Sequence, residues 1–413
     1  MRISTNMIYA QGVGSMQRQW NDLLHTQMEL STGKRVLTPA DDPIAAARAH
    51  EISQSKAVNA QFKTNLSYAK ERMGLIESQM TGVTDILQYV RERIDYAGNG
   101  SLKEEDLRYI ATDLRGQFDA LLGLANAQDG MGDYLFSGYK ANNKPFTGDL
   151  GGINYNGDHG TQTIQVSASR YLSVSMPGSD IFMSSRQLTD SLIGAYSGTR
   201  VDGQPNEGDA QLSATFDTTV PNFEDKLGRR YEIIYNDDGT NPPTWDIYEY
   251  RPGVADKVTI ATGVTSLNDP SVIAATGVDL SVGSGTPVDG DRFEMFVSSP
   301  NMFDNIGMFI GALERPGPSG MANGAVAEGL KNLDGAIENI LKVRAQIGSQ
   351  LTEVQSLESV NSDVDLQYAQ VLSSLLDTDY VEALSRFSQQ MTYLQASQQS
   401  FMKISGLSLF NYI

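Results

Sequence analysis

Eleven apolar positions between residues 62 and 97, namely Phe62, Leu66, Ala69, Met73, Ile76, Met80, Val83, Leu87, Val90, Ile94 and Ala97, follow one another at alternating spacings of three and four. That period, held for about five heptads, belongs to a helix burying one narrow stripe against another helix. If continuous, the stretch spans roughly 50 Å, so its cover must come from an equally long partner. The far end of the chain supplies one: Leu330, Leu333, Ile337, Ile340, Ile347, Leu351 and Val354, then, after a step in register, Leu357, Val364, Tyr368, Val371 and Leu375. Such a step predicts a local change in supercoiling.

Each long run has a shorter companion toward its terminus. Val13, Met16, Trp20, Leu23 and Leu30, with Gln27 interrupting, predict a first helix. Leu384, Phe387, Met391, Leu394 and Phe401 predict a last one, with Asp379 and Glu382 suited to cap it after the break at Asp377-Thr378-Asp379. Gly98-Asn99-Gly100 ends the long front run, and Ser101 with Glu104 predicts a capping box for a helix through Leu107, Ile110, Leu114, Leu121 and Leu124. Neither end of the chain closes a core alone. The fold class expected is therefore α+β and multidomain: a long antiparallel helical rod formed by both termini, with a β-rich projecting middle region.

From about residue 136 to residue 300 the heptads give way to short alternating runs between turn signals such as Asn156-Gly157 and Asp238-Gly239. Strands are expected at 163–166, 230–235, 245–250 and 292–297. The expected division is 1–37 with 380–413 as a terminal helical segment, 38–137 with 302–379 as the bundle, 138–183 as a β-rich domain and 184–301 as a further inserted β unit.

Charge separates these regions. The two end segments hold 9 charged residues among 71, while the whole chain of 413 residues carries a net charge of -19. Charge depletion of that kind marks surfaces made to be covered. The acidic balance argues against nucleic-acid or membrane partners. With no cysteine, disulfides, thiolate metal sites and cysteine nucleophiles are excluded. No cleavable signal peptide and no membrane span is expected from the sequence.

Chemistry is hard to find. His25, His50 and His159 lie in separate segments without metal spacing, and Gly12-Val13-Gly14 is only a fragment of a nucleotide fingerprint. Asp41-Asp42 reads as a turn in which Asp42 caps a helix begun by Pro43, rather than as a catalytic carboxylate pair. Asp289-Gly290-Asp291 resembles the opening of a calcium loop but lacks its later ligands, and reads as a turn. Tyr231, Tyr235, Trp245, Tyr248 and Tyr250 could form a sugar-stacking platform; cross-strand packing is the reading preferred. No catalytic, cofactor-binding or metal residues are therefore assigned, and no cofactor is expected.

Several motifs carry a resemblance. Leu30-Ser31-Thr32-Gly33-Lys34-Arg35-Val36, followed by Asp41-Asp42, resembles the amino-terminal signature of the bacterial flagellin superfamily, and Asp377-Thr378-Asp379-Tyr380 its carboxy-terminal counterpart. Met1-Arg2-Ile3-Ser4-Thr5 and Pro39-Ala40-Asp41-Asp42-Pro43 are similar to the hook-associated protein 3 branch. So are Leu135-Phe136-Ser137-Gly138-Tyr139-Lys140, Tyr155-Asn156-Gly157-Asp158, Pro177-Gly178-Ser179-Asp180-Ile181-Phe182 and the ending 407–413. The resemblance covers 1–183 and 302–413; the unit 184–301 departs from the shortest members, and its Gly290-Asp291-Arg292-Phe293 looks like a β module of other hook-associated proteins.

What the resemblance implies is a non-enzymatic adaptor of the extracellular flagellum, assembled as a ring between hook and filament after type III export. The implied partners are further copies of itself, the first hook-filament junction protein, flagellin, and an export chaperone on the C-terminal helix. Subunit packing is expected through Val13, Met16, Trp20, Leu23, Leu30, Leu384, Phe387, Met391, Leu394 and Phe401. Gly33, Lys34, Arg35, Asp41, Asp42, Asp377 and Asp379 are the motif positions. A filament flagellin, or an adhesin acting through the middle module, is the alternative.

Overall fold

The computed structural model describes residues 5–185, 192–251, 257–315 and 323–406. The motif residues 1–4 and 407–413 lie outside them. The chain divides into two compact units, Met1–Leu66 with Ser356–Ile413, and Ser67–Gln355. Two helices of 55 and 54 residues, α2 (Pro43–Ala97) and α7 (Asn323–Leu376), contribute to both.

The stripe on α2 is buried as the heptads require: from Leu66 through Ala97, each of its apolar positions is at most 2% exposed. In the larger unit its partner is α7, running antiparallel. Arg344 reaches Glu77 at 2.8 Å and Asp334 reaches Arg91 at 2.7 Å. In the smaller unit Asn59 donates its amide to the carbonyl of Asn361 at 2.8 Å, beside a Lys56–Asp365 pair.

The register step expected on α7 is absent. Its buried positions, Leu333, Ala336, Ile340, Val343, Ile347, Val354 and Asn361, keep three-four spacing throughout, with Leu357, Val364, Tyr368, Val371 and Leu375 half-buried in the same series. The apparent step arose because Ile337 and Leu351, half-buried beside the seam, were counted in place of Ala336 and Gln350. A buried polar pair in such a seam fixes register at some cost in stability.

The cap of α3 (Glu104–Ala125) also differs from expectation. Helix α3 starts at Glu104, so the flanking residue is Lys103, whose N–H donates to Asp106 Oδ2 at 3.0 Å. Ser101 instead turns back onto Asn99. The carboxylate that reciprocates is the one three residues into the helix, and that is Asp106.

Two small hairpins follow, β1 (Phe146–Asp149) with β2 (Gly152–Tyr155) and β3 (Thr163–Ser167) with β4 (Arg170–Ser173), then the short helix α4 (Gly178–Phe182). Phe146, Phe182 and Phe118 meet Phe303 of α6 (Met302–Glu314) with ring centroids 5.6 to 5.9 Å apart. This aromatic cluster joins α3, the hairpins and α6.

The inserted segment forms β5 (Ile193–Ser197), β6 (Gln211–Phe216), β7 (Arg229–Asn236), β8 (Thr244–Tyr250), β9 (Val258–Val264), α5 (Pro270–Thr276), β10 (Val278–Ser284) and β11 (Arg292–Val297). An antiparallel five-stranded sheet runs β5-β11-β7-β8-β9, and β6 pairs with β10. Tyr231, Ile233, Tyr235, Trp245, Ile247, Phe293 and Met295 pack on Val272, Val278 and Leu280. The opposite face is charged yet buried: Arg230 reaches Glu294 at 2.9 Å and Arg292 reaches Glu232 at 3.0 Å. Burial alone would push Glu294 up, but Arg230 and Arg292 hold its carboxyl below the usual range.

Because Leu87 is fully buried in the α2 stripe and Leu341 on α7 is half-exposed, the two leucines give opposite expectations. Leu87→Ala should destabilise the protein by about 2 to 4 kcal/mol, and Leu341→Ala by less than about 0.5 kcal/mol. Denaturant melts of the two variants check this; equal effects would reject the assigned seam.

Candidate assembly surface and connector clamp

The first and last helices pair antiparallel within the smaller unit. Helix α1 covers Thr5–Thr32 and α8 covers Tyr380–Gly406. Arg386 near the start of α8 meets Glu29 near the end of α1 at 3.2 Å, while Phe401 packs edge-on against Tyr9 at 5.5 Å. A Cβ at Gly12 would lie 2.9 Å from the Phe401 ring, so this glycine admits the aromatic ring to the helix surface. That is the role of the Gly12-Val13-Gly14 fragment's first residue.

The seam between these helices is unusually polar. On α1 it runs Gly12, Met16, Gln19, Leu23, Thr26 and Leu30; on α8 it runs Ala383, Phe387, Gln390, Leu394, Ser397 and Phe401. The two glutamine carbonyl oxygens, Gln19 Oε1 and Gln390 Oε1, are buried there. Larger apolar side chains point elsewhere: Val13 is 40% exposed, Trp20 51%, Leu384 61% and Met391 44%. Leu24 and Met28 extend the outer face of α1, and Val381 and Met402 that of α8. A shallow groove runs along α8 between Tyr380, Val381, Leu384, Ser385, Ser388 and Gln389.

The ten expected packing residues therefore fall into two sets. Val13, Trp20, Leu384 and Met391 face outward. Leu23 and Leu394, at 7% and 5% exposure, are covered by the chain's own partner helix, and Met16, Leu30, Phe387 and Phe401 are half-buried beside them.

The seven motif positions converge on the connectors that join these helices to α2 and α7. Gly33 ends α1 with φ 73°, the left-handed conformation that suits glycine, and a Cβ there would lie 2.9 Å from the Tyr380 hydroxyl. Lys34 forms an antiparallel bridge with Asp377, the Arg35 N–H donates to the carbonyl of Leu376 at 2.7 Å, and the Thr378 N–H donates to that of Gly33 at 2.9 Å. Arg35 also holds the Leu375 carbonyl and Asp42. The two chain crossings thus lie side by side as one clamp.

Asp42 and Asp379 cap helices, and Asp41 closes the turn before α2. Asp41 Oδ2 accepts from the N–H groups of Leu37 and Thr38 at 3.0 and 2.7 Å; Asp42 Oδ1 accepts from Ala45 N–H at the start of α2 at 3.0 Å. Asp379 Oδ1 accepts from Val381 and Glu382 N–H at the start of α8. The backbone of Thr38 first, then His25, holds Asp41 below the usual carboxylate range; the backbone of Ala45 first, then Arg35, does the same for Asp42.

Tyr380, the last residue of the carboxy-terminal motif, completes the clamp, as do Glu29, Arg386 and His25, which the motifs did not include. One signal was present: Glu29 is one of only two acidic residues before residue 38, and it sits near the helical seam. In the inserted sheet, the candidate sugar platform is used up internally. Tyr231, Tyr235 and Trp245 are core residues, Tyr248 lies under Lys257 and Tyr250 under Arg230. Asp291 spends its carboxylate on the N–H groups of Glu207, Gly208 and Val288, which makes Asp289-Gly290-Asp291 a structural turn.

A family model for the bacterial flagellin N-terminal helical region matches residues 3–141. Flagellar hook-associated protein 3 of Salmonella typhimurium is 30% identical over 413 residues, spanning 99% of both chains, so the inserted unit 184–301 lies within the aligned length. Among solved structures, FlgL of Xanthomonas campestris is similar at 25% identity and a TM-score of 0.52, covering 78% of this chain and 99% of that one. The flagellar junction protein FlgL of Legionella pneumophila shares the fold at 22% identity and a TM-score of 0.51, covering 80% and 100%.

Since Asp41 and Asp42 titrate lower in the folded chain than in the unfolded one, their contribution is complete above the unfolded aspartate value of about 3.9 and is lost as pH falls through the folded values. Acid titration followed by the amide resonances of Leu37, Thr38 and Ala45 should show the clamp opening below about pH 4. Asp41→Asn with Asp42→Asn should remove that transition; its persistence would assign the acid sensitivity to other groups.

Proposed function

The chain belongs to the flagellar hook-associated protein 3 family, and on that premise we propose that copies of it form a ring joining hook to filament through the outer faces of α1 and α8. It is a structural, non-enzymatic protein of the extracellular flagellum at the hook-filament junction. That membership sets the filament-flagellin alternative aside. The adhesin alternative has no observation in its favour, because the aromatic residues that would carry it are packed.

One observation carries the ring. The paired terminal helices turn Val13, Trp20, Leu24, Leu384 and Met391 away from their own seam, in the most charge-depleted segments of the chain. Two such stripes on one helical pair give each copy a donor and a receptor face for lateral packing, and a heterologous contact repeated around an axis forms a ring where its rotation closes. Aromatic and Met side chains are those enriched at interface cores. The two open edges of the ring then meet different neighbours, the first junction protein on the hook side and flagellin on the filament side. Before assembly the same α8 face is the one an export chaperone would cover.

Trp20→Glu combined with Leu384→Glu should abolish incorporation and release flagellin into the medium, while the purified monomer keeps its circular dichroism and melting curve. Leu394→Glu should instead weaken the α1–α8 pair itself. Electron microscopy of flagella, scored with secreted flagellin, reads the result; normal filaments on the double variant would overturn the outer faces as packing surfaces.

A further inference from the structure

The face of the inserted sheet turned away from its aromatic core holds more positive charge than its own carboxylates balance. Glu294 serves both Arg230 and Arg292, at 2.9 and 2.8 Å, while Glu232 serves Arg292 at 3.0 Å, Lys257 at 2.8 Å and the Tyr250 hydroxyl at 3.1 Å. The guanidinium of Arg315, at the end of α6, lies over the Tyr250 ring at 5.9 Å, as that of Arg230 does at 4.9 Å. Among the described residues no carboxylate pairs with Arg315. Two carboxylates thus face four cations.

A narrow cavity lies where the excess collects, between β7, β8 and α6. It is lined by Arg230, Arg251 and Arg315 with Tyr250, Met308 and Glu314, and has room for about one water-sized sphere, about 10 Å³. Glu314, the one carboxylate in this lining, is held by Arg115 at 2.6 Å, and Arg251 is held by Glu249 at 2.9 Å. Arg230 is 4% exposed; its terminal nitrogens donate to Glu294 and to the Arg315 carbonyl, but its Nε–H is buried without an acceptor. Glu294 Oε2 also lacks a partner, yet Glu294 does not line the cavity. A buried donor on a charged group is costly to leave unmade, and a buried charge is costly to leave uncompensated. Water would answer the first need and not the second, a cation would be repelled, and a polyatomic oxyanion exceeds the space. We propose that this cavity binds one chloride ion, held by the Arg230 Nε–H and the Arg315 guanidinium with Met308 as its apolar wall. The net charge of -19 opposes an anion at long range, so selectivity comes from these local donors. The ion completes the joint between the inserted sheet and α6 and has no part in ring formation.

The test uses the full-length chain in buffer whose only small anion is gluconate, which is too large for the cavity. Added chloride, at constant ionic strength, should broaden the chlorine nuclear resonance in a saturable way and raise the melting temperature, since a ligand bound only by the folded chain stabilises it. Arg315→Gln, at a half-buried position, should weaken this binding at least about tenfold, the size of one hydrogen bond to a charged group. Arg315→Lys keeps the charge and should lose less. Crystals of the full-length chain soaked in bromide give a second reading that needs no variant: an anomalous peak within hydrogen-bond distance of Arg230 Nε is expected. Broadening that does not saturate, or that is equal in the parent and Arg315→Gln chains, shows an adventitious ion only and overturns the site. So does a cavity that holds water without an anomalous peak. Trp20→Glu with Leu384→Glu should leave chloride binding unchanged, so this site and the ring fail separately.

Discussion

The apolar stripe of α2 is only partly covered by its neighbour in sequence, α3, which meets it through Tyr89, Arg93 and Asp113 and at Gly82 beside Leu124. The long-range partner is α7, separated from α2 by 225 residues. Everything between them is an excursion that must return to the starting point. Closing so long a loop costs only logarithmically more than closing a short one, which is why an entire β-rich module is tolerated there. The Arg344–Glu77 and Arg91–Asp334 pairs then select the antiparallel alignment. They are surface pairs and contribute little stability each; the buried stripe supplies the driving force.

What could be read from residues follows the same division. The α2 stripe was legible residue by residue because its seam is wholly apolar. The α7 seam was not, because Ala336 and Gln350 occupy it while the larger apolar Ile337 and Leu351 lie beside it. On α1 and α8 the most apolar series differs from the seam, since Gln19, Thr26, Gln390 and Ser397 occupy the inner positions. Periodicity reports where apolar residues lie, and here Val13, Trp20, Leu384 and Met391 lie outside while Met16, Leu23, Leu30, Phe387, Leu394 and Phe401 lie in the seam. In the inserted sheet, alternation of Arg230 and Glu232 with Tyr231 and Ile233 is the pattern of a strand with one wet face. The face is in fact buried, and opposite charges on β7 and β11 pair across the ladder to offset that burial. The motif residues were legible as a set; that they form one clamp was not, because their contact spans 340 residues of chain, as Arg35 with Leu375 shows.

The inverted polarity of the terminal pair has an energetic reading. A helix pair whose seam holds Leu23, Leu394 and Phe401 beside buried glutamines gains less from closing than one with a continuous apolar stripe. The same helices hold Trp20, Leu24, Leu384 and Met391 in reserve on their outer sides. On the proposed reading, neighbouring copies cover those faces, and the stability of the pair is then tied to the concentration of partners.

The clamp makes that arrangement workable. With a weak seam, the pair needs its ends fixed by something other than apolar burial, and the backbone crossings at Gly33 with Thr378 and Arg35 with Leu376 provide it. Capping by Asp42 and Asp379 starts α2 and α8 at set residues on either side of those crossings. Directional hydrogen bonds hold geometry even where they add little net stability. The outer faces of α1 and α8 can then stay uncovered while the two helices keep their alignment.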